Sequence, residues 1–435
     1  MKISINFTEQ LSNDRSVSLI LLFLSTQIAR MNTIGKIEIE DYNYDLPDSR
    51  IAKFPLEKRD MSKLLFQLGN KIVEKKFIDL PEILPQNSLL ILNETKVVNA
   101  RLIFEKSTGA KIEIFCLEPV KPVTDFQLAY QQKSPVVWKC FIGNANRWKS
   151  GHLELKLSLD GKLVTLFAEK TDRLPEGFLV SFSWDNKDVT FLEIINAVGL
   201  VPIPPYLNRK ANEEDNIRYQ TIYANYEGSV AAPTAGLHFT SNVIDRIVAK
   251  GIETDKLTLH VGAGTFKPVV SKTIADHEMH TEKVVIELDT LKHIHKKLSD
   301  AIIPIGTTSM RSLESLYWMA AKLIDGDARF VVNQWDPYIL NVNPDFTSER
   351  AISLLISYLE DNKLSELKGE TRLMIAPGYT FKIANGLITN FHQPKSTLLL
   401  LVSALVGDSW KTAYDFALQN EFRFLSYGDS CLFLP

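Results

Sequence analysis

The sequence has 435 residues, which predicts two to three domains at about 150 residues per domain. Hydrophobic residues make up 45% of the chain, so a disordered protein is excluded. The 49 basic and 52 acidic residues leave a formal charge of −3, which excludes a strongly basic, histone-like binder of nucleic acid. The three cysteines form no CxxC pair, which excludes a disulfide scaffold and a cysteine-built metal site and fits a reducing cytosol.

The N-terminal segment, residues 1–30, contains one apolar run at residues 17–24. This run is shorter than the roughly 20 residues of a membrane-spanning helix. Glu9 and Asp14 precede it, where a signal peptide carries basic residues. We therefore expect residues 1–30 to be an extension outside the fold. The later apolar stretch, residues 396–407, is bounded by charges and predicts a buried core helix.

From about residue 88 to residue 184, polar and apolar residues alternate with a period of two. In HLELKLSL, residues 152–159, every leucine lies on one face. The turn sequences STGA, GNAN and SLDG separate several such segments. This spacing predicts a small antiparallel β-barrel or sandwich.

After residue 188, helical patterns alternate with short strand-like runs. The predicted helices are residues 189–199, 241–251, 288–298, 309–323, 348–361 and 409–420. The predicted strands are residues 256–261, 283–288, 302–306, 372–376 and 386–391. This alternation predicts an α/β layer with a largely parallel sheet.

Two short motifs resemble cofactor or metal sites only superficially. HVGAGTF, residues 260–266, lacks the third glycine of the dinucleotide fingerprint and predicts a tight turn. HEMH, residues 277–280, spaces its histidines three apart rather than the four of HExxH. We therefore expect neither a nicotinamide site nor a metal site.

Three other segments place polar side chains among small or apolar residues. SVAAPTAGLHFT (residues 229–240) precedes a helix, and IGTTSMRSLES (305–315) and ITNFHQPKST (388–397) each follow a strand. Open α/β sheets bind ligands at such carboxyl ends of strands. Close packing explains the small residues of the first segment equally well.

A basic ribbon without acidic residues lies between Asp125 and Glu154. Its basic and aromatic residues interleave in the order Tyr130, Lys133, Trp138, Lys139, Phe141, Arg147, Trp148 and Lys149. Cations and stacking surfaces together suit RNA. A solvated strand face above buried tryptophans explains the pattern nearly as well.

Several longer motifs occur in a fixed order from residue 41 to the C-terminus. They include YDLPDSRIAKFPLEKRDMSKLL (44–65), LNETKVVNARL (92–102), VPIPPYLNR (201–209), TLHVGAGTF (258–266) and HEMHTE (277–282), together with the three polar segments. In these motifs the chain resembles the S-adenosylmethionine:tRNA ribosyltransferase-isomerase family of queuosine biosynthesis.

The resemblance implies an α/β catalytic domain with a mostly parallel sheet, formed by residues 31–75 and 185–435, plus an inserted small antiparallel β-barrel domain, residues 76–184. It also implies a cytoplasmic enzyme, with no membrane, that we expect to be a monomer. Its partners would be tRNA and S-adenosylmethionine, the latter a co-substrate. No redox or metal cofactor is expected, because no electrons move.

The implied reaction moves the ribosyl group of S-adenosylmethionine onto 7-aminomethyl-7-deazaguanine at the wobble position of tRNA. Epoxyqueuosine forms, and methionine and adenine leave. The chain departs from the usual family pattern NDTRVIPARL at Glu94, Lys96 and Asn99, and lysine lacks the bidentate fork of arginine. A paralogue with a small-molecule acceptor and a non-catalytic RNA-binding protein therefore stay open as alternatives.

Proton transfer near neutral pH suits histidine, so the candidate catalytic residues are His260, His280 and Glu282. The alternative is that these side chains only form structural hydrogen bonds. Candidate residues for substrate binding are Asn93, Arg101, Thr234, Gly236, His238, Thr307, Arg311, Asn390, His392 and Asp429. Candidate residues for RNA binding are Lys139, Arg147 and Lys149.

Overall fold

The structure, a computed structural model, describes residues 34–260 and 271–435. The predicted extension, residues 1–30, and the GAGTF part of the motif after His260 lie outside the described residues. In chain order the strands are β1 (Lys63–Leu68), β2 (Lys71–Lys76), β3 (Leu89–Asn93), β4 (Thr95–Val97), β5 (Arg101–Glu105), β6 (Lys111–Lys121), β7 (Val136–Gly143), β8 (His152–Leu159), β9 (Lys162–Leu174), β10 (Gly177–Trp184), β11 (Tyr226–Ser229), β12 (Glu253–His260), β13 (Glu282–Glu287), β14 (Ile302–Pro304), β15 (Val331–Val332), β16 (Glu366–Thr371), β17 (Leu387–Asn390) and β18 (Ser430–Leu434).

The helices are α1 (Leu80–Ile83), α2 (Phe126–Tyr130), α3 (Phe191–Val198), α4 (Asp215–Arg218), α5 (Ser241–Ala249), α6 (Leu288–Lys296), α7 (Thr307–Ile324), α8 (Asp336–Ile339), α9 (Ser348–Asp361), α10 (Thr397–Val406) and α11 (Ser409–Gln419). The predicted helices after residue 188 are therefore confirmed. The apolar stretch at 396–407 forms α10, whose leucines are largely buried. No helix within residues 34–260 or 271–435 is long and apolar enough to cross a bilayer.

The main body contains a six-stranded sheet in the order β14-β3-β12-β13-β16-β15 and a four-stranded sheet in the order β17-β18-β1-β2. Four of the eight neighbouring pairs among these described strands are antiparallel. The prediction of a mostly parallel sheet is therefore not confirmed, because both sheets are mixed. Parallel neighbours need a crossover, usually a helix, and between β12 and β13 the described chain contains only the 3₁₀ turn Ile274–Asp276.

One predicted strand is misplaced. Residues 372–376 were expected to be a strand, but the strand is β16, which ends at Thr371. Thr371 pairs with Glu282, the first residue of β13. Beyond that pair the chain no longer pairs with β13, while the amides of Arg372 and Met374 donate to the carbonyls of Val332 and Gln334 at 2.9 and 3.1 Å.

Among the described residues, one backbone bridge joins the two sheets of the main body. Ile305 pairs in parallel with Ile388, and the amide of Gly306 donates to the Ile388 carbonyl at 2.7 Å. The carboxyl ends of β14 and β17, which the two polar segments follow, therefore lie side by side.

The predicted antiparallel barrel is a six-stranded sheet in the order β5-β6-β7-β10-β9-β8. Every neighbouring pair in it is antiparallel, and its edge strands β5 and β8 contact each other, so the sheet is nearly closed. Its core includes Trp138, Trp148 and Phe182. The barrel sheet starts at Arg101, whereas β3, which the sequence grouped with the barrel, pairs with β12 and β14 in the main body.

Candidate active site

A cavity of about 830 Å³ lies between the barrel and the main body. The barrel lines it through β6, β7 and α2, and the main body lines it through the carboxyl ends of β12, β14 and β17. Nine of the predicted site residues line this cavity: Lys139, Thr234, His260, His280, Glu282, Thr307, Arg311, Asn390 and His392.

Glu282 is the centre of a buried charge cluster in the cavity wall. Its Oε2 accepts a hydrogen bond from Arg311 Nη2 at 2.6 Å, and its Oε1 lies 3.2 Å from His280 Nε2. The two-residue spacing in an extended segment predicted the contact between His280 and Glu282. Burial alone raises the pKa of Glu282, but Arg311 and His280 outweigh it and lower the pKa overall. Glu282 is therefore an ionised carboxylate that bridges a guanidinium and an imidazole.

The amino end of α7 forms one end of the cavity and is suited to binding an anion. Gly306, Thr307 and Thr308 line the cavity, and the N-cap Gly306 supplies no side-chain bond to the first amides of the helix. Arg311 is one turn further along; only 3% of it is exposed, and its Nε has no hydrogen-bond partner among the described residues. The amino end of a helix and a guanidinium N–H without a described partner both favour a carboxylate or phosphate.

Asn390 is held by a chain of buried polar groups. Its Nδ2 donates to the Leu425 carbonyl at 3.1 Å and lies 3.2 Å from His238 Nε2, while Ser62 Oγ is 2.8 Å from His238 Nδ1. A carbonyl only accepts, so Leu425 fixes which side of the amide carries the nitrogen. Asn390 Oδ1 is buried without a partner among the described residues. The site thus contains an oriented acceptor.

His238 is not one of the described residues that line the cavity. It lies behind Asn390, and its Nε2 is 3.2 Å from the Asn390 amide nitrogen. Burial lowers the pKa of His238 to about 3, so the ring is neutral at pH 7. Because Asn390 donates to its Nε2, the ring hydrogen lies on Nδ1, toward Ser62.

His260 and His392 are also neutral. Burial lowers the pKa of His260 to about 4 and that of His392 to about 3. The His260 ring lies 5.1 Å from that of Phe126 and packs so closely on Gly228 that a β-carbon there would lie 2.3 Å from Nδ1. His392 Nε2 is 3.0 Å from Thr389 Oγ1.

Four other predicted residues serve the fold and do not line the cavity. Asn93 Oδ1 accepts the amides of Thr95 and Leu259, both at 3.1 Å, and so ties β3 to β12. Asp429 accepts the amides of Lys63 at 3.0 Å and Arg423 at 2.7 Å. Arg101 pairs with Glu113 at 3.1 Å. At Gly236, a β-carbon would lie 2.1 Å from the Tyr223 hydroxyl, so close packing explains this glycine.

The residues of the basic ribbon lie in three different places. Tyr130, Trp138 and Trp148 are buried in the barrel core and offer no stacking surface, which agrees with the second interpretation of the pattern. Arg147 and Lys149 line a separate surface pocket of about 520 Å³. Lys139 instead lines the main cavity and pairs with Glu118 at 3.4 Å.

Sequence reasoning missed several residues that line the cavity. They are Phe126, Tyr206, Tyr219, Lys283 and Arg372. Tyr206 is part of VPIPPYLNR, one of the motifs that carried the family resemblance, so for this residue a signal was present. Arg372 was hidden by the misplaced strand; its Nε donates to Thr281 Oγ1 at 2.7 Å.

Comparison with known proteins agrees with the motifs. A family model described as "Queuosine biosynthesis protein" matches residues 39–433. The S-adenosylmethionine:tRNA ribosyltransferase-isomerase of Halothermothrix orenii is 37% identical over 405 residues, which cover 92% of this chain and 100% of the relative. The protein of the same name from an Azoarcus species is 36% identical over 399 residues, covering 91% of this chain and 97% of the relative.

Among solved structures, the chain is similar to the crystal structure of S-adenosylmethionine tRNA ribosyltransferase from Thermotoga maritima. The identity is 26%, the TM-score is 0.43, and the match covers 91% of this chain and 100% of the other. The family model spans most of the chain, and the relatives exceed 30% identity over almost their full length. The chain therefore belongs to the queuosine biosynthesis protein family.

Proposed function

We propose that this protein is an S-adenosylmethionine:tRNA ribosyltransferase-isomerase. It transfers and isomerises the ribosyl moiety of S-adenosylmethionine onto 7-aminomethyl-7-deazaguanine at the wobble position of tRNA, and it releases methionine and adenine. Family membership supports the reaction. The observation that carries the proposal is the Glu282 cluster, which stands at strand ends in a cavity of about 830 Å³, a size typical of small-molecule sites.

The chemistry needs a base next to the sulfonium, because the sulfonium acidifies the neighbouring 5′ carbon. His280 is the proposed base: its side chain is 29% exposed, whereas Glu282 behind it is fully buried. A carboxylate only accepts, so the His280 hydrogen lies on Nε2, toward Glu282, and Nδ1 takes the proton. Arg311 balances the charge of Glu282 and keeps it ionised.

The two ends of S-adenosylmethionine match the two ends of the polar wall. The methionine carboxylate would bind at the amino end of α7, beside Arg311. Asn390 Oδ1 would accept a hydrogen bond from the adenine amino group or a ribose hydroxyl. His260 and His392, which have strongly lowered pKa values, are weak bases that suit hydrogen bonding to substrate rather than proton abstraction.

The remaining parts of the proposal follow from the reaction. No electrons are transferred, so the enzyme would use no redox cofactor and S-adenosylmethionine would be consumed as a co-substrate. The acceptor would be tRNA, and the enzyme would work as a monomer in the cytoplasm. The alternatives are a paralogue that uses a small-molecule acceptor and an RNA-binding protein without activity.

Release of adenine from S-adenosylmethionine tests the proposal. Release that requires tRNA carrying the aminomethyl base supports it, release without RNA supports the small-molecule paralogue, and no release under either condition supports the binding protein. His280→Ala should lower kcat by about 10²-fold with little change in S-adenosylmethionine binding. His152→Ala, on an exposed barrel histidine, is the control. Normal turnover by His280→Ala would exclude His280 as the base.

A further inference from the structure

Phe54 is an exposed aromatic side chain with a guanidinium fixed above its ring. It exposes 53% of its surface, and Arg209 Cζ lies 4.4 Å from the ring centroid. An exposed phenylalanine loses contact with water when a planar group stacks on it. The feature therefore fits a flat aromatic ligand.

The position of Arg209 is set by several hydrogen bonds. Its two terminal nitrogens donate to Asp215 at 2.6 and 2.7 Å, and its Nε donates to the Lys53 carbonyl at 2.7 Å. Asp215 is buried and also accepts the Tyr427 hydroxyl at 2.8 Å. The pair of ring and guanidinium is therefore already ordered before any ligand binds.

Two further arginines belong to, or contact, the segment that follows Phe54, and neither has a strong acidic partner among the described residues. Arg59 donates to the Gln220 carbonyl at 3.1 Å, and Arg218 donates to the Leu56 carbonyl. Glu214 is 3.5 Å from Arg218, and Arg59 forms no ion pair with any described residue. Burial lowers the pKa of Arg59, and the like charge of Arg218 lowers it further. These guanidiniums would be stabilised by an anion.

This surface, which consists of Phe54, Arg59, Arg209 and Arg218 and is called here the Phe54 face, borders the cavity. Tyr206 and Ser426 both line the cavity, and their hydroxyls lie 2.5 Å apart. Tyr427, the neighbour of Ser426, is bonded to the Asp215 that holds Arg209. The Phe54 face is therefore joined to the cavity wall through Tyr427 and Asp215.

We propose that the Phe54 face binds the single-stranded RNA loop of the substrate, with one unpaired base stacked on Phe54 and phosphates at Arg59 and Arg218. The inference rests on the proposed function. Aromatic side chains next to arginines are the usual platform for unpaired bases.

The test compares binding of an anticodon stem-loop that carries the aminomethyl base, measured by fluorescence anisotropy. Phe54→Ala should weaken binding by roughly 5- to 150-fold, the range seen for loss of one base–aromatic stack. Phe54→Tyr should bind the stem-loop like the wild type, because a tyrosine also stacks. Leu128→Ala, which removes a barrel side chain of 52% exposure, is the matched control and should bind like the wild type.

A second readout follows the stack directly. Phe54→Trp should show an added fluorescence signal that the stem-loop quenches, and S-adenosylmethionine binding by calorimetry should be unchanged in every variant. If the wild type binds no RNA, the proposed function fails and this inference fails with it. If the wild type binds but Phe54→Ala binds equally well, or Phe54→Trp is not quenched, only this inference is overturned.

Discussion

The buried pair of Glu282 and Arg311 makes a strong prediction about stability. Glu282→Gln leaves a guanidinium that is only 3% exposed without its carboxylate. Nη2 of Arg311 lies 2.6 Å from Oε2 of Glu282, and two unit charges centred about 4 Å apart attract each other by roughly 4 kcal/mol at an effective dielectric constant of about 20. Glutamine keeps one hydrogen bond to Arg311, so we expect a net loss of about 3–5 kcal/mol.

Arg311→Met should cost less than Glu282→Gln, because Glu282 retains His280 at 3.2 Å as a second partner. The double variant should lose less than the sum of the two single variants by about 2 kcal/mol or more. Urea unfolding followed by far-ultraviolet circular dichroism measures all three, since most helices belong to the main body that contains the pair. Additive losses within about 0.5 kcal/mol would show that the two side chains do not depend on each other.

Three further outcomes are expected. Glu314 accepts the amides of three successive residues, 382–384, at 2.7, 2.9 and 2.9 Å. Glu314→Gln should therefore lower the free energy of unfolding, measured with urea, by about 2–4 kcal/mol. The control Glu360→Gln, at an exposed side chain, should change it very little. The pKa of His238 is lowered from 6.5 to about 3 in the fold. Below pH 6.5 the unfolded chain therefore binds a proton that the folded protein does not, and the free energy of unfolding should fall by about 1.4 kcal/mol per pH unit. A urea midpoint independent of pH between 7 and 5 would contradict this. The double variant Arg147→Ala, Lys149→Ala should raise the KM for tRNA and leave the KM for S-adenosylmethionine nearly unchanged. It should also make the salt dependence of tRNA binding shallower. An unchanged salt dependence would mean that these side chains only contact solvent.

Much of the fold could be predicted because local patterns decide local structure. Alternation in HLELKLSL fixes which side of β8 faces the barrel core. The predicted helix at residues 241–251 also depends on local contacts, because Thr240 caps α5 by accepting the amide of Val243. A strand pattern does not predict which strand is its neighbour, however, so the mixture of parallel and antiparallel pairs could not be predicted from the sequence.

The candidate site was only partly predictable for a related reason. Strand ends identified Arg311 and Asn390, which line the cavity. The roles of His238 and Asn93 depend on hydrogen bonds to residues more than 150 positions away, and no local pattern carries such contacts. The tryptophans of the basic ribbon show the same limit, since composition cannot tell an exposed ring from a buried one.

Arg311 connects substrate binding with the proposed base. One of its nitrogens holds Glu282, which in turn holds His280, and its Nε is buried without a described partner at the end of the cavity that suits a carboxylate. A bound methionine carboxylate would satisfy that Nε and fix the guanidinium plane. The orientation of His280 should therefore depend on the carboxylate of the substrate, although the carboxylate takes no part in the reaction.

Decarboxylated S-adenosylmethionine tests this dependence. It lacks only the carboxylate, so weaker binding alone would raise KM and leave kcat unchanged. Because Arg311 also positions Glu282, we expect kcat for adenine release to fall by about 10-fold or more as well. Both constants are measured at saturating tRNA, and His280→Ala, which lacks the proposed base, should show the KM effect without a further loss in kcat. A wild-type kcat with the decarboxylated substrate would mean that Arg311 binds the carboxylate and Glu282 independently.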